Sequence, residues 1–146
     1  MTTSARPIAG DRCLSVAQYW ASLIFARDGD GRPAKPVENR TWSTRYRGRL
    51  VVHASLSAAA RDQYDRFERG WLARQGVELP AWAELPRGVL LGVVELADCL
   101  PVERLPKELR DHPTAEGPWC WVLAGATLFD GPVPAKGALS LWTWPG

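Results

Sequence analysis

Lys35-Pro36-Val37-Glu38-Asn39-Arg40-Thr41-Trp42, followed after a turn at Arg47-Gly48 by Leu50-Val51-Val52-His53-Ala54-Ser55, decides how this chain is read. The two-residue period of a strand puts Glu38, Arg40 and Trp42 on one face and Asn39 and Thr41 on the other. Lys35 has the wrong parity for the first face. Pro36 holds it extended or in a turn, so a bend there swings its ammonium toward Glu38. A lysine, a carboxylate and a guanidinium converging on a cleft can hold a phosphate or a base edge and tune one another's protonation. An exposed ion-pair network of small energetic consequence is the alternative. In the second strand Leu50, Val52 and Ala54 share one face, and Val51, His53 and Ser55 the other. Basic charge also gathers here. Arg32, Lys35, Arg40, Arg45, Arg47 and Arg49 stand against a single acid, Glu38, a local excess of five in a chain of net charge +2. Such a concentration is the footprint of phosphate binding; a solvated arginine-rich loop is the alternative.

Outward from this stretch, residues 1–11 read as a loose arm and 12–146 as one domain. Ser15 followed by Gln18 forms a capping box. The helix it opens carries Val16, Trp20, Leu23 and Ile24 on one face and stops before Gly29. Asp28-Gly-Asp-Gly-Arg-Pro33 is an open turn that lacks the bidentate glutamate of a calcium loop. A long helix is expected over Ala58–Gln75, with Tyr64, Phe67, Trp71 and Leu72 as its buried stripe. Asp62 with Arg66 and Asp65 with Arg69 make its solvent face. Strands are expected over Val89–Cys99, Trp119–Ala124, a short piece around Leu128, and Ala138–Trp144. The pattern predicts an α+β fold with a strongly curved, mostly antiparallel sheet or small barrel, flanked by two or more helices.

At 146 residues the chain can bury a core without staples. Three scattered cysteines and two histidines argue against a disulfide framework and a metal centre, and no cofactor is expected. The start of the chain shows no signal peptide, and the apolar run Val89–Val94 is too short to span a bilayer. A cytoplasmic protein, monomeric by default, is the expectation.

Eight tryptophans are several times the usual share. Trp20 and Trp71 sit on apolar helix faces and read as core. Trp42, Trp119, Trp121, Trp142 and Trp144 lie on strands, where a platform for a splayed-out base can be built, although core packing is the alternative for each. Trp42 is the first candidate because it shares a face with Glu38 and Arg40. His53 and Ser55 suggest a base and a nucleophile, but no third group orients the histidine, and hydrogen bonding in a pocket suits them better. Glu95 is a carboxylate in an apolar strand, expected to meet a polar cleft or a basic group.

The chain resembles the ASCH domain family. Cys13-Leu-Ser15-Val-Ala-Gln18-Tyr-Trp20-Ala21, Lys35-x-x-Glu38-x-Arg40-x-Trp42 and Arg47-Gly-x-Leu-x-x-His53-Ala-Ser55 carry the likeness. Pro86-Arg-Gly88, Gly92-Val-Val-Glu95, Trp119-x-Trp121-Val-Leu123 and Lys136-Gly137-x-Leu-x-Leu-Trp142 extend it over 13–142. Pro33 stands where the family usually has a glycine before the lysine, and Tyr19 where a proline is common. The resemblance implies a PUA-like β-barrel and a cleft lined by Lys35, Glu38 and Arg40. It further implies binding of RNA, a nucleotide or a modified nucleoside. Ser15, Gln18, Trp42, Arg45, Arg47, His53, Ser55 and Trp121 complete the expected binding set. Family members include RNA-binding or coactivator modules, ribonucleases, and a hydrolase of N4-acetylcytidine that uses Lys, Thr and Glu. If this chain is an enzyme, Lys35 with Glu38 and Glu95 are its candidate catalytic groups, Glu38 standing where that hydrolase has its Thr. A protein-interaction module is the third reading.

Overall fold

A computed structural model describes residues 5–146. Six strands form one sheet: β1 (Arg12–Val16), β2 (Val37–Arg40), β3 (Gly48–Ala54), β4 (Val89–Pro101), β5 (Trp119–Pro134) and β6 (Leu141–Thr143). Their order is β2-β5-β4-β3-β1-β6. Every pairing is antiparallel except β1 with β3, which run parallel with Ser15 opposite His53. The sheet curls into a half-barrel, the PUA-like α+β architecture expected. Register shifts interrupt the long β4–β5 ladder at three places. Each bulge adds local twist, and that twist lets a wide sheet curl.

The strand alternation read from the sequence holds in β3. Leu50, Val52 and Ala54 enter the main core with Ala21, Ile24, Val94, Leu96 and Trp121. Val51, on the other face, packs with Cys13, Leu90 and Phe129. Both faces of β3 are therefore buried, which continuous β-branched sequence favours.

The first helix differs from expectation. Arg12–Val16 is a strand, and Ser15 caps nothing; the helix α1 is short, Trp20–Ile24. Gln18 does the capping, its Oε1 accepting from the Ser22 amide at 3.0 Å. A strand buried between two neighbours shows no polar alternation, so it was open to misreading as the approach to a helix. Residues 5–11 of the arm are tied to the sheet, with the Gly10 amide donating to the Trp144 carbonyl and the Asp130 amide to that of Ala5. Residues 1–4 lie outside the described residues.

The second helical stretch runs as α2 (Arg61–Gln63), a π-helical turn (Tyr64–Glu68) and α3 (Arg69–Arg74). Tyr64 and Leu72 are buried, but Phe67 is 67% exposed and Trp71 38%. Seven residues make two α-turns, and here eight separate the two buried positions. The wider π turn absorbs the extra residue, so the 3.6-residue stripe projected from Tyr64 onto Phe67 misses the core. Further on, the chain makes 3₁₀ turns at Trp82–Glu84 and Val102–Arg104 and a one-turn helix, α4 (Lys107–Arg110).

Candidate functional site

Among the described residues β2 is an edge strand paired only with β5, and its alternation sorts the sequence as read. Val37 packs inward with Leu105 and Cys120. Asn39 organises the loop beyond α4. Its amide donates to the Thr114 carbonyl at 2.7 Å, and its Oδ1 accepts from the Glu116 and Gly117 amides at 2.9 Å each. Glu38 and Arg40 line a cleft of about 1270 Å³. The chain bends at Ala34, and Lys35 joins them with a side chain only 3% exposed.

Glu38 is the hub of this floor. Its Oε2 lies 2.9 Å from Arg40 Nη2 and its Oε1 3.4 Å from Lys35 Nζ. The first distance is that of a charge-assisted hydrogen bond; the second is longer, so the ammonium keeps donors for another acceptor. Arg40 Nη2 also donates to the Ser15 carbonyl at 2.7 Å, while Arg40 Nε is buried with no partner among the described residues. Two cations against one carboxylate leave the floor at a net +1. Lys35 and Glu38 are buried while Arg40 stays partly exposed, and burying a charge costs several kcal/mol per ion, so the cluster is weak evidence for a stability role.

The rim has the opposite sign. Asp28, Asp30, Glu68 and Glu116 line the cleft, with Arg74 as the basic residue among them. One wall is held where the Asp28–Gly31 turn meets the end of α3. The Gly76 backbone has φ +80°, and a Cβ there would lie 2.7 Å from Gly29 Cα, so only glycine permits the contact. His112 lines the opposite loop. The Thr114 amide donates to its Nδ1 at 3.1 Å, making that nitrogen an acceptor, and the Thr114 hydroxyl lies 2.9 Å from it. Burial, and then the Lys35 charge, push His112 below the ordinary histidine value, so it stays neutral near pH 7.

The tryptophans exchange the roles read from the sequence. Trp121 is 0% exposed in the main core and donates its indole N–H to the Trp42 carbonyl at 3.2 Å. Trp42 packs edge-on against it at 4.8 Å and lies outside the cleft lining. Trp20 and Trp71, read as core, line the cleft instead. The two-residue period had put Trp42 on the face of Glu38, but β2 ends at Arg40, and parity has no meaning past a strand end.

The remaining candidates divide. Ser15 and Ser55 line the cleft. His53 does not pair with Ser55, because β3 ends at Ala54 and strand parity does not extend to Ser55. His53 Nε2 donates to the Ala135 carbonyl at 2.8 Å, Nδ1 accepts from Ser15 Oγ at 2.9 Å, and Trp142 Nε1 donates to that oxygen at 3.1 Å. Gly137 closes over this group, where a Cβ would lie 2.6 Å from Ser15 Oγ. Gln18 is fully buried, with its amide donating to Ser22 Oγ and the Pro86 carbonyl at 2.8 Å each. Glu95 is exposed on β4 between the buried Val94 and Leu96 and lies outside the cleft; ordinary alternation explains a carboxylate there. Arg45 is exposed and also outside it. Arg47 pairs with Asp98 at 3.2 Å and Arg49 with Asp11 at 2.8 Å. The basic run is thus spread over the surface and partly neutralised by acids from elsewhere in the chain.

Among known proteins, the sequence profile described as the ASCH domain matches residues 14–131. Human activating signal cointegrator 1 is 29% identical over 134 residues, covering 91% of this chain and 22% of that protein. The mouse protein of the same name is 32% identical over 102 residues, covering 70% of this chain and 16% of its own length. The chain spans about a fifth of the length of these relatives. With the half-barrel and the Lys35–Glu38–Arg40 cleft in place, the match over most of the domain settles its kinship: the chain belongs to the ASCH domain family.

Proposed function

We propose that this domain binds RNA, or a nucleotide-sized piece of it, in the cleft floored by Lys35, Glu38 and Arg40. The observation that carries this reading is the floor itself: a buried lysine and a partly exposed arginine share one buried carboxylate, and the lysine keeps donors for an anionic or carbonyl oxygen. Interactions made in such a water-poor place are stronger than on an open surface. With Arg45, Arg47 and Arg49 directed elsewhere, few phosphates are neutralised, so the salt dependence is shallow. A single strand loses about 0.7 in log K per tenfold salt for each phosphate engaged. Titration of a short single-stranded RNA at low and physiological salt, with wild type and Lys35→Ala, is the test. The expected result is a slope of one or two phosphates and a clear loss of affinity in the variant; unchanged affinity in Lys35→Ala sinks the reading.

A second reading, a coactivator-like protein-interaction module, has the name of the two relatives in its favour. Salt-insensitive binding to a protein partner with no RNA binding would support it. For a hydrolase, the exposed position of Glu95 leaves Lys35 and Glu38 as the acid–base pair. Product from acetylated cytidine or from an RNA oligomer, lost in Glu38→Gln, is its test.

A further inference from the structure

The cleft contains more than its charged floor. Tyr64, Tyr19 and Trp20 form an aromatic column. The rings of Tyr64 and Tyr19 stack at 5.1 Å with planes 27° apart, and those of Tyr19 and Trp20 at 4.6 Å with planes 30° apart. Tyr64 at the inner end is fully buried and donates its hydroxyl to the Pro80 carbonyl at 2.6 Å. Trp20 at the outer end is partly exposed and lines the cleft. Tyr19 covers one side of the indole, and Trp20, which also packs against both neighbouring apolar clusters, presents its exposed part to the cleft.

Charge decides what can lie against that surface. The floor carries a net +1, enough for one phosphate, whereas Asp28, Asp30, Glu68 and Glu116 face the same space. A chain of phosphates threaded through the cleft would pass these carboxylates. A nucleobase is uncharged, has a π face and presents amino and ring N–H donors that carboxylates accept. We propose that the ligand enters base first: an unpaired nucleobase stacks on Trp20 as the next member of the column, with no more than one phosphate at Lys35 and Arg40. A base within a duplex has both faces occupied and cannot do this, so the partner is single-stranded or has an extruded base. This inference rests on the reading of the cleft as an RNA site and adds which part of the RNA it holds.

The test compares a six-nucleotide single-stranded RNA of mixed sequence with an abasic ribose-phosphate strand of the same length. Wild type is expected to prefer the base-bearing strand about fivefold to a hundredfold, the range that stacking one base provides. Trp20→Leu, which keeps apolar volume, is expected to lose that preference, and Trp20→Tyr to recover most of it. Lys35→Ala is expected to weaken both strands alike. If wild type binds both strands equally and Lys35→Ala still weakens them, the base-stacking inference is overturned while the cleft remains the RNA site. If wild type binds neither strand, the RNA reading and this inference fall together. The comparison of strands on wild type decides the matter even should Trp20→Leu fail to fold.

Discussion

Removing Lys35 and removing Glu38 are different experiments, because the two residues have different numbers of partners. Without Lys35, Glu38 still has Arg40 at 2.9 Å; without Glu38, the buried Lys35 loses its counter-ion and the partly exposed Arg40 keeps only the Ser15 carbonyl. Glu38→Ala is therefore expected to lose about 3 kcal/mol or more of stability, the cost of breaking a buried ion pair, and Lys35→Met distinctly less. Urea unfolding of the two variants checks the order, and a Lys35 variant less stable than the Glu38 variant would contradict it. Trp121→Ala empties a fully enclosed core position and is expected to cost about 3–5 kcal/mol. A loss below 1 kcal/mol would mean that the indole is not packed as described. At this scale much of the floor of the site was legible in the sequence, since Glu38 and Arg40 follow strand parity, although the bend that brings Lys35 in lies at Ala34 and not at Pro36. The tryptophans were not, because a large aromatic residue at the border of core and cleft obeys the same periodicity in either role.

Between Tyr64 and Leu72 the helical segment fits eight residues into two turns. Deleting one residue from the following turn lets a regular α-helix join the same two anchors. A variant lacking Gly70 is expected to fold with stability equal to the parent or up to about 1 kcal/mol higher, because a helical glycine is lost as well. Thermal melting with far-ultraviolet circular dichroism measures this, and a fall in melting temperature of more than a few degrees would show the π turn to be required. This segment also marks the limit of pattern reading. The positions 64, 67 and 71 suit an α-helix well, and nothing in the residue types announces a local change of pitch. The misread β1 has a related cause: Ser15 and Gln18 have the spacing of a capping box, whereas pairing with β3 and β6 depends on residues 38 to 131 positions away. By contrast β3 and β4, whose apolar runs are long and rich in β-branched residues, stood where the sequence put them.

Across the whole molecule, two histidines couple stability to pH. Burial pushes both His53 and His112 below the ordinary value of 6.5. The unfolded chain therefore takes up protons first as the solution is acidified. Their contribution is fully present above about pH 6.5 and is lost as pH falls below it toward the depressed folded values. Urea midpoints are expected to drop between about pH 7.5 and 5, with a smaller drop in His53→Asn; a midpoint that rises on acidification would refute the assignment. The half-barrel itself is sewn together very unevenly. β4 and β5 share a long ladder in the middle, while β6 is three residues long, lies at the edge, and reaches β1 only across most of the chain. A short edge strand frays at a small fraction of the global unfolding cost. In deuterated water the β6 amides are therefore expected to exchange well ahead of those in the middle of β4, which can be followed by mass spectrometry of peptic fragments. Trp142 leaves with β6 in each such opening, and with it the indole N–H that rests on Ser15 Oγ. The back of the cleft thus has a clock of its own, and a ligand that quiets exchange in β6 without touching it would be felt there through Ser15.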